Sequence, residues 1–431
     1  RSTYLESERA GCKNDRARWQ LMGDKLSYAI QPPGRSPAMT SLREIMDLAT
    51  RPGVLSLAIG LPAAELFPRE ALADEARSVL MADPSSLQYG LPYRPLKSEI
   101  VRLMEQRGVH CREEQIFLTS GAQQGMDLLS RLLVEPGRPV VTEWAVYDGI
   151  QMAARQSHAE ILTVASDPVQ GIDVDELAAL LARGARPAFV YVIPSGHNPL
   201  GASLSLEARQ RLVELARLHQ VPLVEDDVYG FLYYAGEAAP PLRALEEEWV
   251  FYLGSFSKIL APSLRAGWIV VPERLAARLS PLKHAIDLDT PSFSHRMIAA
   301  YLRAGHLPAH LAMLRAEYRR RRGALLAALR THFPPEARWS SPESGMFVWV
   351  ELPPELDAAE LLRVAVETEQ VAFSPGATFS RGDPRGRRGL RLTFTNHPPE
   401  QLEEAVRRIG RVIARPTTAR LMAAREKKIS P

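Results

Sequence analysis

The stretch that decides the fold is Val250-Phe251-Tyr252-Leu253-Gly254-Ser255-Phe256-Ser257-Lys258, followed seven residues after the lysine by Arg265. An apolar, strand-like run passes into a turn that carries two serines, and apolar residues resume at Ile259. Two hydroxyls and a guanidinium can hold a phosphate, and a lysine between them can form an imine with an aldehyde. A single lysine is usually a solvated surface cation, but the apolar residues on both sides of Lys258 argue against that interpretation.

Outside this stretch, short β-rich runs alternate with longer helix-like segments from about residue 115 to residue 271. The alternation is typical of an α/β domain with a mostly parallel sheet. One of the helical segments, residues 206–220, places its apolar residues largely on one face, and Ser205 can cap it. After residue 291, long helical stretches and three further strand-like runs, at 346–351, 371–374 and 390–395, indicate a smaller α/β domain. The predicted strands of the main sheet are residues 116–119, 139–142, 161–164, 189–193, 222–225, 250–253 and 268–271.

Three further polar segments follow strand-like runs. Residues 119–124, Thr-Ser-Gly-Ala-Gln-Gln, open a helical pattern whose free N–H groups favour a phosphate, although a plain strand-to-helix turn explains them equally well. In residues 225–229, Glu-Asp-Asp-Val-Tyr, a buried carboxylate can keep a ring nitrogen protonated and the tyrosine can reach a ring hydroxyl. These acids could instead bind a metal, but no histidines with ligand spacing accompany them. Residues 195–201, Ser-Gly-His-Asn-Pro-Leu-Gly, alone indicate a turn.

Composition and missing motifs exclude several classes of protein. Neither Gly-x-Gly-x-x-Gly nor Gly-x-x-x-x-Gly-Lys-Ser/Thr occurs, which argues against Rossmann and P-loop nucleotide binding. The 53 basic and 50 acidic residues leave a net charge of +3, so nucleic-acid binding is not expected, and the arginine run 319–322 is interpreted as a solvated helix face. Only two cysteines occur, which favours a reducing, cytoplasmic location. No window approaches the roughly 18 apolar residues of a membrane span.

In combination and in this order, the motifs resemble the fold-type I, class I/II aminotransferases that use pyridoxal 5'-phosphate (PLP), in particular the α-aminoadipate and kynurenine branch. The resemblance covers the chain from about Ser36 to Ala414. It implies a large domain around a mostly parallel seven-stranded sheet, a smaller α/β domain, and ping-pong transfer of an amino group from an L-amino acid to a 2-oxo acid. The implied ranges are an arm at 1–36, small-domain residues at 37–75, the large PLP-binding domain at 76–310 and the C-terminal small domain at 311–431.

The resemblance also implies the catalytic residues. It makes Lys258 the Schiff-base lysine and Asp226 the partner of the pyridinium nitrogen, while Tyr229 and Asn198 match the donors to the ring O3'. Tyr147 matches the aromatic residue that stacks on the ring, with Trp144 as the fallback. The residues that match the phosphate cup are Gly121, Ala122, Gln123, Ser255, Ser257 and Arg265.

Substrate and partner contacts follow from the same resemblance. Arg391 matches the arginine that clamps the substrate α-carboxylate, helped by the backbone at Gly60 and by Asn198. Tyr89 resembles a tyrosine that reaches the cofactor phosphate of the neighbouring subunit. The resemblance therefore implies a homodimer with shared active sites, small-molecule amino acid and 2-oxo acid substrates, and no metal, nucleic acid or membrane.

The sequence departs from the family pattern around the substrate, which leaves alternatives open. Ile59 stands where relatives usually have a glycine, and Ala38 and Met39 stand where acidic-substrate relatives carry an arginine. We therefore do not expect α-aminoadipate or glutamate to be the dedicated amino donor. One alternative is a PLP-dependent lyase or replacement enzyme of the same fold that acts at Cβ or Cγ. Another is the aminotransferase-like sensing domain of a GntR-type regulator, although the residues before Pro37 lack helix-turn-helix periodicity.

Overall fold

The computed structural model describes residues 47–235, 238–287 and 290–415; the predicted arm, Ala38 and Met39 lie outside these ranges. Within the described ranges, the strands are β1 Leu55–Ser56, β2 Ile116–Thr119, β3 Val140–Glu143, β4 Ile161–Val164, β5 Ser166–Asp167, β6 Gly171–Ile172, β7 Phe189–Val192, β8 Leu223–Asp226, β9 Val250–Ser255, β10 Gly267–Val270, β11 Arg338–Trp339, β12 Phe347–Glu351, β13 Val371–Ala372, β14 Ser374–Pro375 and β15 Gly389–Thr393.

The helices of the same ranges connect these strands and cover the sheets. They are α1 Arg69–Ala82, α2 Arg94–Glu105, α3 Ala122–Leu133, α4 Asp148–Gln156, α5 Val174–Ala182, α6 Leu206–His219, α7 Leu242–Leu245, α8 Glu273–Ile286, α9 Ser292–Arg303, α10 His306–His332, α11 Ala358–Glu369, α12 Arg385–Arg388 and α13 Pro399–Ile413. None of these helices is long and apolar enough to cross a membrane.

The main sheet of the described chain has seven strands in the order β2-β10-β9-β8-β7-β3-β4, which confirms the predicted sheet. All neighbours pair in parallel except β10, which is antiparallel to both β2 and β9. Every residue of β7, β8 and β9 is buried, as expected when crossover helices cover both faces of a parallel sheet. The carboxyl ends of β2, β8 and β9 therefore meet at one edge, where polar side chains follow each strand.

Two crossover helices begin as the sequence predicts. Ser205 caps α6, because its Oγ accepts a hydrogen bond from the Ala208 N–H at 3.1 Å. α3 begins directly after Gly121, whose φ of +89° is a conformation that side-chain-bearing residues rarely adopt. No side chain caps α3, so its first N–H groups remain directed at the end of the sheet.

A second, four-stranded sheet has the order β11-β12-β15-β14 within the described residues. The prediction of a single strand at residues 371–374 is wrong. β13 pairs with β1 in parallel, whereas β14 pairs with β15, so the chain changes sheets at the buried Phe373. An unbroken apolar run does not indicate which neighbour each residue pairs with. The change of sheet places Ser374 opposite Arg391.

The arginine run 319–322 on α10 is only partly a solvated face. Arg321 is 2% exposed; its Nη1 donates to the Thr395 carbonyl at 2.6 Å, and its Nη2 lies 2.7 Å from Glu65. The prediction is therefore wrong for Arg321, because two carboxylates, Glu65 and Glu317, compensate its burial. The predicted boundary between the large domain and the C-terminal small domain, after residue 310, falls inside α10. The division into these domains stays a prediction.

Gly254 offers a direct test of the packing in the main sheet. A Cβ atom on Gly254 would lie 2.1 Å from Cε2 of the buried Trp268, so we expect Gly254→Ala to lower the free energy of unfolding by about 1–3 kcal/mol. The control is Gly323→Ala in α10, where nothing lies within 4 Å and a gain of up to about 1 kcal/mol is expected. Urea unfolding measures both, and equal effects of the two substitutions would contradict this packing.

Candidate active site

A cavity of about 300 Å³ lies at the carboxyl edge of the main sheet. All but two of the residues that the sequence predicts for the site line this cavity. Of the two exceptions, Gly121 directly precedes the lining residue Ala122, whereas Tyr89 lies outside the cavity and is 83% exposed. The predicted residues that line the cavity are Gly60, Ala122, Gln123, Tyr147, Asn198, Asp226, Tyr229, Ser255, Ser257, Lys258, Arg265 and Arg391.

One end of the cavity is built to hold an anion. Arg265 donates from Nη2 to the Ser120 carbonyl at 2.7 Å and lies against Gly121, where a Cβ atom would come within 2.8 Å of the same nitrogen. Ser257 donates its N–H to Ser255 Oγ at 3.1 Å, which fixes the serine turn. The uncapped start of α3 adds backbone N–H groups and the positive end of a helix dipole. This donor set has the chemistry of a phosphate site.

Asp226 is a buried carboxylate that requires a positively charged partner. Its Oδ2 accepts a hydrogen bond from the Tyr191 hydroxyl at 2.5 Å, while Oδ1 is buried without a hydrogen-bond partner among the described residues. Burial raises the pKa of Asp226 to about 6, and the Tyr191 hydrogen bond opposes that rise. A protonated ring nitrogen would satisfy the free oxygen and compensate the charge. Sequence reasoning missed Tyr191, although a tyrosine inside an all-buried strand needs a partner for its hydroxyl.

Lys258 lies just beyond β9 and reaches across the cavity, where its Nζ donates to the Gly60 carbonyl at 3.0 Å. Burial lowers the pKa of this lysine to about 8, and the neighbouring charge of Arg391 contributes to the shift. The unprotonated fraction of this amine near neutral pH is therefore larger than that of an exposed lysine. An unprotonated amine can act both as a nucleophile toward an aldehyde and as a base.

Arg391 projects from β15 into the cavity and is 7% exposed. Its Nη1 donates to Asn198 Oδ1 at 2.7 Å, and its guanidinium stacks 4.2 Å from the Phe347 ring centroid. Burial lowers its pKa to about 10. In the described part of the chain no carboxylate pairs with Arg391, so an incoming carboxylate is the natural partner of this buried cation.

Tyr229 and Asn198 lie beside Arg391. Burial and the nearby charge of Asp226 raise the pKa of the Tyr229 hydroxyl, and its hydrogen bond with Asn198 opposes that rise. His197 lies in the same turn as Asn198 and is buried, with Nε2 3.2 Å from Glu143 Oε1. Its Nδ1 accepts from the Leu200 N–H at 3.3 Å, which fixes the turn that carries Asn198.

Tyr147 and Trp144, the two candidates for the residue that stacks on the ring, lie in different surroundings. Tyr147 lines the cavity, whereas Trp144 lies outside it, packs edge-on against Trp349 and donates from Nε1 to the Ser166 carbonyl. Sequence reasoning missed several lining residues, because tertiary packing brings them to the cavity from segments around both the main sheet and the second sheet. The additional lining residues are Ala58, Met126, Asp148, Ile193, Val228, Pro262, Phe347, Ser374, Thr378 and Phe379.

The charge on Asp226 predicts a pH-dependent stability of the PLP-free protein. Because burial raises the pKa from 3.8 to about 6, stability contributed by this group falls as the pH rises through that window. Asp226→Asn removes the buried charge, so we expect it to stabilise the PLP-free protein by about 1–3 kcal/mol at about pH 8, with the difference vanishing near pH 4. Urea unfolding of both proteins across this range measures it. A difference independent of pH would contradict the assignment.

Comparison with known proteins finds aminotransferases both by family model and among similar sequences. The family model of class I and II aminotransferases matches residues 52–409. A 2-aminoadipate transaminase from Thermus thermophilus is 39% identical over 387 residues, which cover 88% of this chain and 95% of the relative. Aromatic-amino-acid aminotransferase 1 from Thermococcus litoralis is 36% identical over 384 residues, or 87% of this chain and 91% of that protein.

A solved structure extends the comparison to three dimensions. The α-aminoadipate aminotransferase from Thermus thermophilus, complexed with N-(5'-phosphopyridoxyl)-L-leucine, is 36% identical and has a TM-score of 0.82. The alignment covers 93% of this chain and 99% of that one. Together with the family match, this similarity shows that the chain belongs to the class I and II aminotransferases, as an enzyme of fold type I that uses PLP and acts on small-molecule substrates.

Proposed function

We propose that Lys258, Asp226, Tyr229 and Arg391 carry out the transamination of a neutral L-amino acid in this cavity, with a 2-oxo acid as the acceptor in a ping-pong cycle. The observation that carries the proposal is the convergence in one cavity of a lysine of lowered pKa, a buried carboxylate with one free oxygen, and a buried arginine that no carboxylate pairs with among the described residues. Each of these groups lacks the partner that an amino acid and the cofactor would supply.

The residues fit PLP in two respects. The buried Oδ1 of Asp226 lacks a partner that a protonated ring nitrogen would provide, and the space beside Gly121 and Arg265 would be filled by a Cβ atom. Tyr147 would stack on the ring, and Tyr229 and Asn198 would donate to its O3' oxygen. The residues that would hold the phosphate are Gly121, Ala122, Gln123, Ser255, Ser257 and Arg265.

The roles of the side chains in catalysis follow from their charges. When bound, PLP supplies an electron sink for the negative charge left at the substrate Cα. Arg391 binds the α-carboxylate through its two Nη atoms, with Asn198 and the backbone near Gly60 fixing the orientation. Lys258 Nζ removes the Cα proton and later, as an ammonium group, returns a proton to the reacting centre. The lowered pKa of Lys258 in the PLP-free cavity favours the neutral amine that proton removal requires.

The lining of the cavity supports a neutral substrate side chain. The cations among the described lining residues are Lys258, Arg265 and Arg391, and each already has a role. The apolar rings of Phe347 and Phe379 lie against Arg391, and Ile59 also lines the cavity. A second substrate carboxylate would have no cationic partner in this part of the chain, which agrees with the expectation drawn from the sequence departures.

We also propose that the enzyme is a homodimer with shared active sites. Leu87, Tyr89 and Leu91 are 74%, 83% and 90% exposed, so this segment presents apolar surface on one chain. A contiguous exposed apolar segment is typical of a protein interface. Burial of the segment against a second copy would allow Tyr89 to reach the partner's phosphate site.

The cysteines support a proposed cytoplasmic location. The sequence contains two, and Cys111 is a free, half-buried thiol. Burial raises its pKa to about 11, which makes the thiol unreactive. A free thiol at Cys111, with no disulfide among the described residues, suits a reducing compartment.

The role of Lys258 is tested by Lys258→Ala. Borohydride reduction of the PLP-loaded wild type should fix the cofactor to the peptide that carries Lys258, as measured by mass spectrometry, and the variant should show no such adduct. Its rate of amino-group transfer should fall at least about 10³-fold. Lys97→Ala is the control, because Lys97 lies over the Phe117 ring outside the cavity. An adduct on another lysine, or an active Lys258→Ala enzyme, would contradict the assignment.

The interface proposal is tested by Leu91→Asp. A charge at this position should destabilise the buried contact, so sedimentation should shift from about twice the chain mass of 47.8 kDa toward the monomer, with loss of activity. The matched control is Leu218→Asp, because Leu218 is also highly exposed but lies near the end of α6. A wild-type monomer with full activity would contradict the shared site.

A further inference from the structure

A second groove, of about 740 Å³, lies between the end of α2, the junction of α9 and α10, and the chain around Phe231. No described residue lines both this groove and the catalytic cavity. We call it the arginine groove after its basic lining residues, Arg102, Arg107, Arg303 and Arg315. Glu99 is the acidic residue among its described lining residues.

The charges of the arginine groove do not balance. Glu99 Oε1 lies 2.6 Å from Arg102 Nη1 and 3.9 Å from Arg303 Nε, so one carboxylate serves two guanidinium groups. Arg107 Nη2 lies 3.0 Å from Asp227 Oδ2. Within the described ranges no carboxylate comes within ion-pair distance of Arg315. Four guanidinium groups thus face two carboxylates, which leaves an excess of positive charge.

Arg315 is held in position for a ligand. Its Nε donates to the Phe231 carbonyl at 2.8 Å, and its Cζ lies 4.0 Å from the Tyr233 ring centroid. Its two Nη atoms have no hydrogen-bond partner among the described residues. Burial lowers the pKa of Arg315, and the nearby charge of Arg107 lowers it too. An anion in the groove would offset both costs and would meet a donor that is already oriented.

The groove also has apolar walls. Leu103, Leu307 and Leu311 line it together with the rings of Phe231 and Tyr233. Its volume lies in the range of about 300–1,000 Å³ that is typical of small-molecule sites. Apolar walls beside unpaired guanidinium groups suit a ligand with one anionic group and an apolar body.

We propose that the arginine groove binds a small organic anion, with its phosphate or carboxylate group on Arg303 and Arg315 and its apolar body against Phe231 and the leucines. The site lies close in the chain to catalytic residues. Arg315 holds the carbonyl of Phe231, two residues after Tyr229, and Arg107 pairs with Asp227, the neighbour of Asp226.

The test is isothermal titration of the PLP-loaded, full-length enzyme with phenyl phosphate, benzoate and inorganic phosphate. We expect saturable binding, tighter for the two aromatic probes than for inorganic phosphate because of the apolar walls. Arg303→Gln and Arg315→Gln should each weaken binding about tenfold, since each removes a charge-assisted contact. Arg319→Gln is the matched control, because Arg319 is an exposed residue of the same helix α10 outside the groove.

Three outcomes would overturn the proposal: no saturable binding of any probe, unchanged affinity in both groove variants, or equal weakening by Arg319→Gln. Tighter binding of inorganic phosphate than of the aromatic probes would overturn the ligand class. Because Arg315→Gln also removes the hydrogen bond to the Phe231 carbonyl, the thermal unfolding of each variant is measured beside the titration. The Arg303 side chain is 59% exposed, and Arg303→Gln keeps the test decisive if the other variant does not fold.

Discussion

The carboxylate of Asp226 imposes the constraint on which the rest of the site depends. It is buried at the end of β8, accepts one hydrogen bond from Tyr191, and leaves its other oxygen without a partner among the described residues. Burial of an incompletely paired carboxylate is costly, and we propose that a positive ring nitrogen of bound PLP offsets this cost. We therefore expect the free energy lost by burying Asp226 in the PLP-free protein to be regained when the cofactor binds.

The parallel sheet brings the remaining groups to Asp226. β2, β8 and β9 end at one edge, so the turn before α3 converges with the acidic segment and the serine–lysine segment, although it lies about a hundred residues or more before both in the sequence. The second sheet then covers this edge with β15 and supplies Arg391. In the proposed site, the large sheet accordingly supplies the cofactor-binding residues, and the smaller sheet supplies the arginine for the substrate carboxylate.

The sequence predicts most of this arrangement for a physical reason. Strand ends, turns and helix starts depend on local patterns, so these patterns predict the seven strands and the Ser205 cap, whereas the residues gathered around Lys258 follow from the family resemblance. Local patterns do not predict the contacts that tertiary packing sets. The change of sheet at Phe373, the burial of Arg321 and the Tyr191 bond to Asp226 each depend on a partner remote in sequence. The role of Tyr89 remains a prediction, because a single chain leaves it exposed.

The central claim is that this cavity transfers an amino group from a neutral amino acid and retains it on the cofactor. The most direct measurement is a single-turnover reaction of the PLP-loaded enzyme with a panel of L-amino acids in the absence of an acceptor. The account predicts that a neutral amino acid is converted to its 2-oxo acid, one per active site, with matching formation of pyridoxamine phosphate. Release of a leaving group without pyridoxamine phosphate, or conversion confined to dicarboxylic amino acids, would contradict it.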